Sequence, residues 1–149
     1  MWYLLAIAAG IAADQWLKFW VVEHLAPGES APLLPGLVEL YYLRNTGGGF
    51  SVLTGKTGLL SVITALVMLV LAVLLLRRHF DHPLAMWSIS LVLSGGIGNL
   101  MDRLRLGYVV DMFNFQFMSY PVFNIADILV VVGVIGFSVY YVLLEGKTS

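Results

Sequence analysis

The sequence predicts an integral membrane protein of four transmembrane α-helices with a small β element beside the membrane. Of the 149 residues, 60% are hydrophobic and only 11% are charged. A soluble domain is about half apolar and about a quarter charged, so much of this chain is suited to lipid. Four long apolar segments and one β-rich loop complete the prediction, and the length indicates a single domain over residues 1–149.

Four apolar segments are long enough for transmembrane helices, which need roughly 20 residues to cross about 30 Å of hydrocarbon. They cover approximately residues 1–22, 57–76, 83–101 and 123–144. The second and third contain no charged residue, and the fourth contains only Asp127. The first also has the length of a secretory signal peptide, but no Lys or Arg precedes Lys18, and the apolar stretch continues past Ala13 to Val22. We therefore expect a retained helix.

Four helices place both termini on one side of the membrane, which makes the protein multi-pass. Arg77 and Arg78 in the short second loop, and Lys147 in the tail, favour the cytoplasm for that side, because cytoplasmic loops are rich in Lys and Arg. The opposite side carries its own cations: Arg44, Lys56, Arg103 and Arg105. The loop charges predict cytoplasmic termini only when Arg44, Arg103 and Arg105, which belong to the polar motifs, are left out of the count.

The long first loop, residues 23–56, should lie on the other side of the membrane. It begins with several Pro and Gly residues that predict turns, and residues 37–44 are then β-branched and aromatic enough to predict a strand. We expect a short extracytoplasmic sheet on the membrane surface, with residues 106–118 of the other outer loop as the candidate partner.

The composition also excludes several functions. The absence of cysteine excludes disulfides, thiolate metal sites and cysteine nucleophiles. A net charge of −1 argues against nucleic-acid binding, which needs a basic surface. His24, His79 and His82 form no metal-binding pattern, and the last two belong to a charged, solvated loop. We expect no metal and no cofactor.

Polar residues near the helix ends are the candidate functional residues, because ionisable groups at bilayer depth are costly and usually functional. Asp14 and Lys18 share one face of the first helix, where they form an internal ion pair or orient a substrate or a loop. Asn45 opens a glycine-rich turn that includes Gly47, and glycines permit close backbone approach. Asn45 either contacts a bound peptide or holds the loop itself.

The third helix ends in a second polar motif. Glycines at 95, 96 and 98 allow close helix packing, and Asn99, Asp102 and Arg103 lie near one face of the helix. Asp102 and Arg103 are expected either to form a hydrogen-bonded polar cluster that stabilises the fold or to belong to the functional site.

Asp111 and Asp127 flank the start of the last helix, and Asn124 lies three residues before Asp127 on the same face. A helix cap explains Asn124 but not the second carboxyl. If Asp111 and Asp127 face each other, the pair retains one proton over a wide pH range. The ionised member can then activate water while the protonated member polarises a carbonyl, which is acid–base hydrolysis of an amide.

Two other classes of function remain open from the residues alone. A small transporter or proton relay would use Asp14, Lys18, Asp102 and Asp127, but such residues should be spread through the bilayer, and here they gather at one side. A structural or assembly protein would use the polar motifs only to hold helices and loops together. That interpretation predicts that changing Asp111 or Asp127 to Asn impairs the protein no more than changing Asp102 does.

Taken together, the motifs resemble the lipoprotein signal peptidases, also called signal peptidase II, of bacterial inner membranes. The resemblance covers nearly the whole chain. It is carried by Asp14-Gln15-Trp16-Leu17-Lys18, Arg44-Asn45-Thr46-Gly47 through Phe50-Ser51, Gly95-Gly96-Ile97-Gly98-Asn99 with Asp102-Arg103, Val109-Val110-Asp111, and Phe123-Asn124-Ile125-Ala126-Asp127. Each motif alone is modest, whereas their order and their positions at the helix ends are highly specific.

The resemblance implies an aspartic endopeptidase without a metal, which cuts diacylglyceryl-modified prolipoproteins just before the lipidated cysteine. It implies that Asp111 and Asp127 are the catalytic pair. The residues implied to bind substrate or support the site are Asp14, Lys18, Asn45, Gly47, Asn99, Asp102, Arg103, Asn124 and Ala126. It also implies contact with membrane lipid, inhibition by globomycin and an extracytoplasmic site; nothing in the sequence requires more than a monomer.

Two departures from the family pattern are visible. The family usually has two alanines where this chain has Gly48-Gly49, which should make the loop more mobile. It often has Asp-Phe where this chain has Asp111-Met112, and Met is an adaptable apolar substitute. Both departures bear on detail and leave the expected activity unchanged.

Overall fold

The computed structural model describes residues 2–48 and 53–144. Four of its helices are long and apolar enough to span a membrane, and its strands form one antiparallel sheet in the order β1-β2-β3. The elements are α1 (Trp2–His24), β1 (Ser30–Leu34), β2 (Val38–Asn45), α2 (Thr57–Leu76), α3 (Pro83–Leu106), β3 (Val109–Phe115) and α4 (Ile125–Leu143). The predicted fold class, four membrane helices with a small sheet, is confirmed.

Helix α3 lies at the centre of the bundle and packs against the other three helices. In its most apolar stretch 56% of the residues are buried, against 11% to 17% in the other helices. Glycines allow this close packing, since a Cβ at Gly95 would overlap the carbonyl oxygen of Ala126, and a Cβ at Gly133 would lie 2.7 Å from that of Ser88. The first turn of α4 is thereby held directly against α3.

Helix α3 also continues beyond the predicted end at residue 101, so Asp102 and Arg103 belong to its last turns. It ends at Gly107, whose φ of 78° lies in the left-handed region that glycine adopts without strain. This turn sends the chain directly into β3, which begins at Val109. The C-terminal end of α3 and the strand that carries Asp111 therefore lie next to each other.

Strand β2 pairs with β3, the partner expected from the sequence. Leu43 lies opposite Asp111 and Asn45 opposite Val109, so the end of β2 runs beside the aspartate. Strand β3 continues past Asp111 through aromatic residues to Phe115, within the segment 106–118 that the sequence offered as the partner. The sheet rests on α1 through a buried apolar cluster: Val21, Leu40, Tyr42, Val110 and Met112.

Strand β1 was not expected, because its segment was interpreted as turns from the prolines around it. It lies at the edge of the sheet and pairs only with β2 among the described strands. Pro32, opposite Glu39, lacks the N–H needed for pairing on both sides, and an edge strand tolerates this loss. The prolines thus limited β1 to the edge and did not prevent it from forming.

Candidate active site

A buried lysine organises one side of the site. Lys18 Nζ lies 2.8 Å from Asp14 Oδ2 and 3.0 Å from Asp102 Oδ2, and it donates to Asn99 Oδ1 at 2.8 Å. These three acceptors match the three hydrogens of an ammonium group. Lys18, Asp14 and Asp102 are all at most 3% exposed, and buried charges of this kind must be paired to be tolerated. The contacts therefore form one closed polar cluster between α1 and α3, which we call the lysine cluster.

The lysine cluster also holds the two segments that carry the candidate catalytic residues. Asp14 Oδ1 accepts the backbone N–H of Ala126 at 2.9 Å, one residue before Asp127. Asp102 Oδ2 accepts the backbone N–H of Val110 at 3.0 Å, one residue before Asp111. The lysine cluster thus fixes the backbone on which both aspartates sit.

Gln15 belongs to the same cluster, although the sequence did not single it out. Its Nε2 atom donates to Asp102 Oδ1 at 2.9 Å and to the carbonyl oxygen of Gly98 at 3.2 Å, and Arg105 Nη1 donates to its Oε1 at 3.3 Å. The available signal was its position beside Asp14 in a polar run within an otherwise apolar helix. Burying a neutral amide in a membrane helix costs less free energy than burying a charge, so a glutamine is a weaker sequence signal for a functional site.

Asp111 is held by two asparagine amides. Asn45 Nδ2 donates to Oδ2 at 2.9 Å and Asn124 Nδ2 donates to Oδ1 at 2.7 Å. Asn45 also accepts the backbone N–H of Gly47 through its Oδ1 at 2.8 Å. The reading in which Asn45 holds its own loop therefore agrees with the contacts, and the same side chain positions Asp111.

Asp127 is held in a similar way at the start of α4. Asn99 Nδ2 donates to Oδ1 at 2.8 Å, and the backbone N–H of Asn124 donates to Oδ2 at 3.2 Å. Asn124 Oδ1 in turn accepts the backbone N–H of Asp127 at 2.8 Å, which completes a reciprocal helix cap. The sequence interpretation that a cap leaves Asp127 unexplained was wrong, because Asp127 is itself half of that cap.

The two aspartates are linked to each other through asparagines. Asn124 Nδ2, which donates to Asp111, also lies 3.1 Å from Asn99 Oδ1, and Asn99 donates to Asp127. Each of the four carboxylate oxygens receives one N–H. A carboxylate oxygen can accept about two hydrogen bonds, so each keeps one position for a proton, a water molecule or a substrate.

The environment of Asp111 favours its protonated form. Burial raises the pKa of Asp111 to about 7, and the negative charge of Asp127 acts in the same direction, while the amides of Asn45 and Asn124 oppose the shift. Neither aspartate forms a salt bridge with any cation in residues 2–48 and 53–144. The pair therefore has no direct counterion of the kind that Lys18 gives Asp14 and Asp102.

Both aspartates open into a cavity of about 600 Å³ between α2, α3, α4 and the sheet. Arg103 lines it as well and donates from Nη2 to the carbonyl oxygen of Gly47 at 3.2 Å. Its Nε atom is buried and has no hydrogen-bond partner within the described part of the chain. Arg103 thus lies outside the lysine cluster that holds Asp102, and the two adjacent residues have separate positions.

The structure brings every predicted site residue to this end of the bundle, through the side chain or, for Gly47 and Ala126, through the backbone. Gly49, Phe50, Ser51 and Lys147 lie outside the described residues. Within the described residues, no group of three or more His, Asp or Glu side chains is arranged to hold a metal ion.

The fold and the cavity define a class: a multi-pass membrane protein with a buried, carboxylate-lined site at one end of its helix bundle. Residues 6–143 match the family model described as signal peptidase (SPase) II. The chain therefore belongs to the signal peptidase II family and is a protease, which confirms the resemblance seen in the sequence.

Relatives and solved structures agree with this assignment. The chain is 43% identical to the lipoprotein signal peptidase of Enterococcus faecalis over 143 residues, covering 96% of this chain and 89% of the relative. It is 45% identical to that of Streptococcus pyogenes serotype M2 over 136 residues, covering 89% and 88%. Two solved structures described as bacterial membrane enzymes, each 26% identical, superpose with TM-scores of 0.89 and 0.86. The first alignment covers 97% of this chain and 89% of the other, and the second covers 95% and 92%.

Proposed function

We propose that this protein is an aspartic endopeptidase that removes signal peptides from diacylglyceryl-modified prolipoproteins, cutting before the lipidated cysteine. Prolipoprotein substrates follow from the family and from its lipoprotein signal peptidase relatives. One observation carries the aspartic mechanism: Asp111 and Asp127 line the same cavity, are linked through asparagine amides and have no cation as a partner among the described residues.

In this mechanism the pair shares one proton. We assign the ionised role to Asp127, which receives a backbone N–H at the start of α4, where the helix N-terminus favours negative charge. The proton then belongs to Asp111, whose pKa burial raises to about 7. Asp127 accepts a proton from water as the water oxygen attacks the carbonyl carbon of the scissile peptide bond, and Asp111 donates a hydrogen bond to the carbonyl oxygen. Asp127 then gives the proton that it took from water to the leaving nitrogen as the C–N bond breaks, which restores the starting protonation state of the pair. The products are a carboxyl group on the signal peptide and the free amine of the cysteine.

The asparagines and the lysine cluster serve as positioning residues in this proposal. Carboxylates that act on one bond must be held in a narrow range of geometry, and every oxygen of the pair has a fixed N–H partner. Arg103 faces the cavity beside them. Because Arg103 lines the cavity, we propose that its guanidinium group binds a carbonyl oxygen of the bound peptide.

We place the site at the extracytoplasmic face of the bacterial inner membrane, with both termini in the cytoplasm. Arg77 and Arg78 lie on the loop at the far end of the bundle, as expected for a cytoplasmic loop. The three arginines on the site side are engaged locally. Arg44 packs over the rings of Tyr42 and Tyr108, Arg103 binds the Gly47 carbonyl, and Arg105 donates to Gln15. These structural roles support leaving the arginines out when the positive charges of the loops on the two sides of the membrane are compared.

The remaining proposals concern partners. We propose that the protein acts as a monomer, since the cavity is built from one chain, and that it needs no cofactor. Globomycin-type inhibitors should bind in the same cavity, and membrane lipid should surround the four helices. Within the described residues the ionisable groups of the transport alternative converge on one end of the bundle, and α2 contains none, which favours surface chemistry over a path through the bilayer.

The decisive test is cleavage of a synthetic diacylglyceryl-cysteine propeptide by the purified protein in lipid. We expect globomycin-sensitive cleavage by the parent. We expect Asp111→Asn and Asp127→Asn to lower kcat by roughly a thousandfold or more while remaining folded, since proton transfer by a positioned group contributes about 10² to 10⁴. Asp81→Asn, an exposed aspartate at the far end of the bundle, is the matched control and should cleave normally. Retained cleavage by either site variant would reject the dyad.

A further inference from the structure

The wall that α2 contributes to the dyad cavity is apolar apart from one residue, Thr64. The other cavity-lining residues of α2 are Leu60, Ile63, Val67 and Met68. The remaining walls carry the two aspartates, Asn45, Asn99 and Arg103. Thr64 is therefore the one hydrogen-bonding side chain that α2, a helix described along its whole length, presents to the cavity.

The hydroxyl group of Thr64 makes no hydrogen bond within residues 2–48 and 53–144. The other two hydroxyl groups of α2 are both engaged. Thr57 Oγ1 donates to the Thr46 carbonyl at 3.1 Å, and Ser61 Oγ donates to the Thr57 carbonyl at 2.8 Å. A serine or threonine inside a helix commonly donates to the carbonyl four residues earlier, as Ser61 does. Thr64 does not, so its donor is free for a bound molecule.

Thr64 lies at about the same depth as the dyad. Helices α2 and α3 are joined by a short loop and run in opposite directions. They touch at Gly96, where an added Cβ would overlap the sulfur of Met68. From this contact, Thr64 is about one turn closer to the site on α2, and Asn99 is about one turn closer on α3. Because Asn99 donates to Asp127 at 2.8 Å, Thr64 faces the cavity at the level of the reacting groups.

The proposed substrate brings unpaired carbonyl groups to this level. An apolar segment in lipid is helical, because a single chain satisfies its backbone there only as a helix. The last four carbonyl groups of a helix have no partner within it, and the scissile bond lies at the end of the signal peptide. A carbonyl group left unpaired in an apolar site costs free energy. Donors on the cavity wall have to replace the missing partners.

We propose that Thr64 binds the substrate by donating a hydrogen bond from its hydroxyl group to one of these backbone carbonyl oxygens, beside the scissile bond. This inference rests on the proposed function and deepens it, because it assigns a polar substrate contact to α2, whose other contribution to the cavity is apolar surface. Every peptide has backbone carbonyls, so the contact holds the end of the signal peptide whatever its side chains are.

The test compares two substitutions at Thr64 with one at Ser61. Thr64→Val keeps the shape of the side chain and removes the hydroxyl group, whereas Thr64→Ser keeps the hydroxyl group. Ser61→Ala is the control, because that hydroxyl group bonds within α2. We expect Thr64→Val to lower kcat/KM for the diacylglyceryl propeptide roughly tenfold, the effect of leaving one buried acceptor unpaired. Its unfolding midpoint should equal that of the parent.

Thr64→Ser should recover most of this loss, and Ser61→Ala should keep the kcat/KM of the parent. An unchanged kcat/KM in Thr64→Val would overturn the proposal. A lower unfolding midpoint in Thr64→Val, with an equal loss of kcat/KM in Thr64→Ser, would also overturn it, since that pattern belongs to a side chain that only packs.

A binding measurement separates this inference from the proposed function. Asp127→Asn, with and without Thr64→Val, is titrated in lipid with the fluorescently labelled propeptide. Roughly tenfold weaker binding in the double variant would uphold the contact even if the parent protein failed to cleave. Equal binding would overturn the contact even if cleavage succeeded. No binding by Asp127→Asn itself would reject the substrate, and with it the contact.

Discussion

Two pairs of aspartates lie at the same end of the helix bundle, and their partners differ. Asp14 and Asp102 share the ammonium group of Lys18 at 2.8 and 3.0 Å. Asp111 and Asp127 share only asparagine amides and one backbone N–H. The first pair has a directly bound cation and holds backbone N–H groups, whereas the second has hydrogen bonds and no directly bound cation among the described residues. A buried carboxylate that lacks a counterion costs free energy, and such a cost is typical of a functional position.

The largest effect should come from removing the shared cation. Lys18→Met leaves Asp14 and Asp102 buried without a counterion, and breaking a buried ion pair from one side costs about 3–5 kcal/mol. We expect a large loss of folded protein, measured as yield from membranes and as the midpoint of thermal unfolding. Lys56→Met, on an exposed lysine, should change neither. Adding Asp14→Asn and Asp102→Asn to Lys18→Met should recover part of the stability, and no recovery would show that the cluster is not held by charge.

With rising pH, removing the carboxylate of Asp111 should increasingly favour the folded protein, which is the opposite direction to removing Lys18. The folded pKa of Asp111, about 7, lies above the ~3.9 of an unfolded aspartate, so the folded state binds more protons between these values. Stability contributed by the protonated form is therefore lost as pH rises through this window. Asp111→Asn keeps an acceptor for only one of the two amide N–H groups that Asp111 accepts, so the change with pH is the informative quantity. The unfolding midpoint of the variant relative to the parent should rise between pH 4 and pH 8, by the equivalent of a few kcal/mol at most. A difference that does not change with pH would contradict the raised pKa of Asp111.

Activity should depend on the same proton. The proposed mechanism requires a protonated Asp111, and burial raises the pKa of that carboxyl to about 7, so kcat/KM should fall by about tenfold per pH unit above 7. Below pH 7 it should level off until the ionised partner takes up a proton. A pH–rate profile in lipid checks this, with the unfolding midpoint followed in parallel. A profile that stays flat to pH 9 would mean that Asp111 is not the acid.

The smallest effect on stability is expected for Arg103. The sequence favoured a role for it in the polar cluster with Asp102, which would make Arg103→Ala strongly destabilising. Within the described residues it makes one hydrogen bond, to Gly47, so its loss should cost about 1 kcal/mol. We expect near-normal yield together with a raised KM, and Arg105→Ala, on an exposed arginine, as the control with normal KM. A large loss of folded protein in Arg103→Ala would contradict this prediction and show that Arg103 stabilises the fold.

The helices were predictable because their signals are local. Segments of about 20 apolar residues can satisfy their backbone in lipid only as helices, and the cap at Asn124 follows from its spacing to Asp127. Strand β1 was missed because proline signals turns locally, and its pairing with β2 depends on an edge position that only the sheet defines.

The sequence by itself determined which residues are too polar for their place in the chain, since the cost of a charge in an apolar segment depends on composition alone. It also determined that Asp14 and Lys18 share a face, because helix geometry sets that spacing. Only the tertiary structure decided that Lys18 bonds Asp102 and Asn99, more than 80 residues away, while Asp111 and Asp127 receive amides. The packing of α1, α3 and β3 decides which carboxylates obtain the Lys18 ammonium group, and it thereby separates the ion-paired aspartates from the pair proposed to be catalytic.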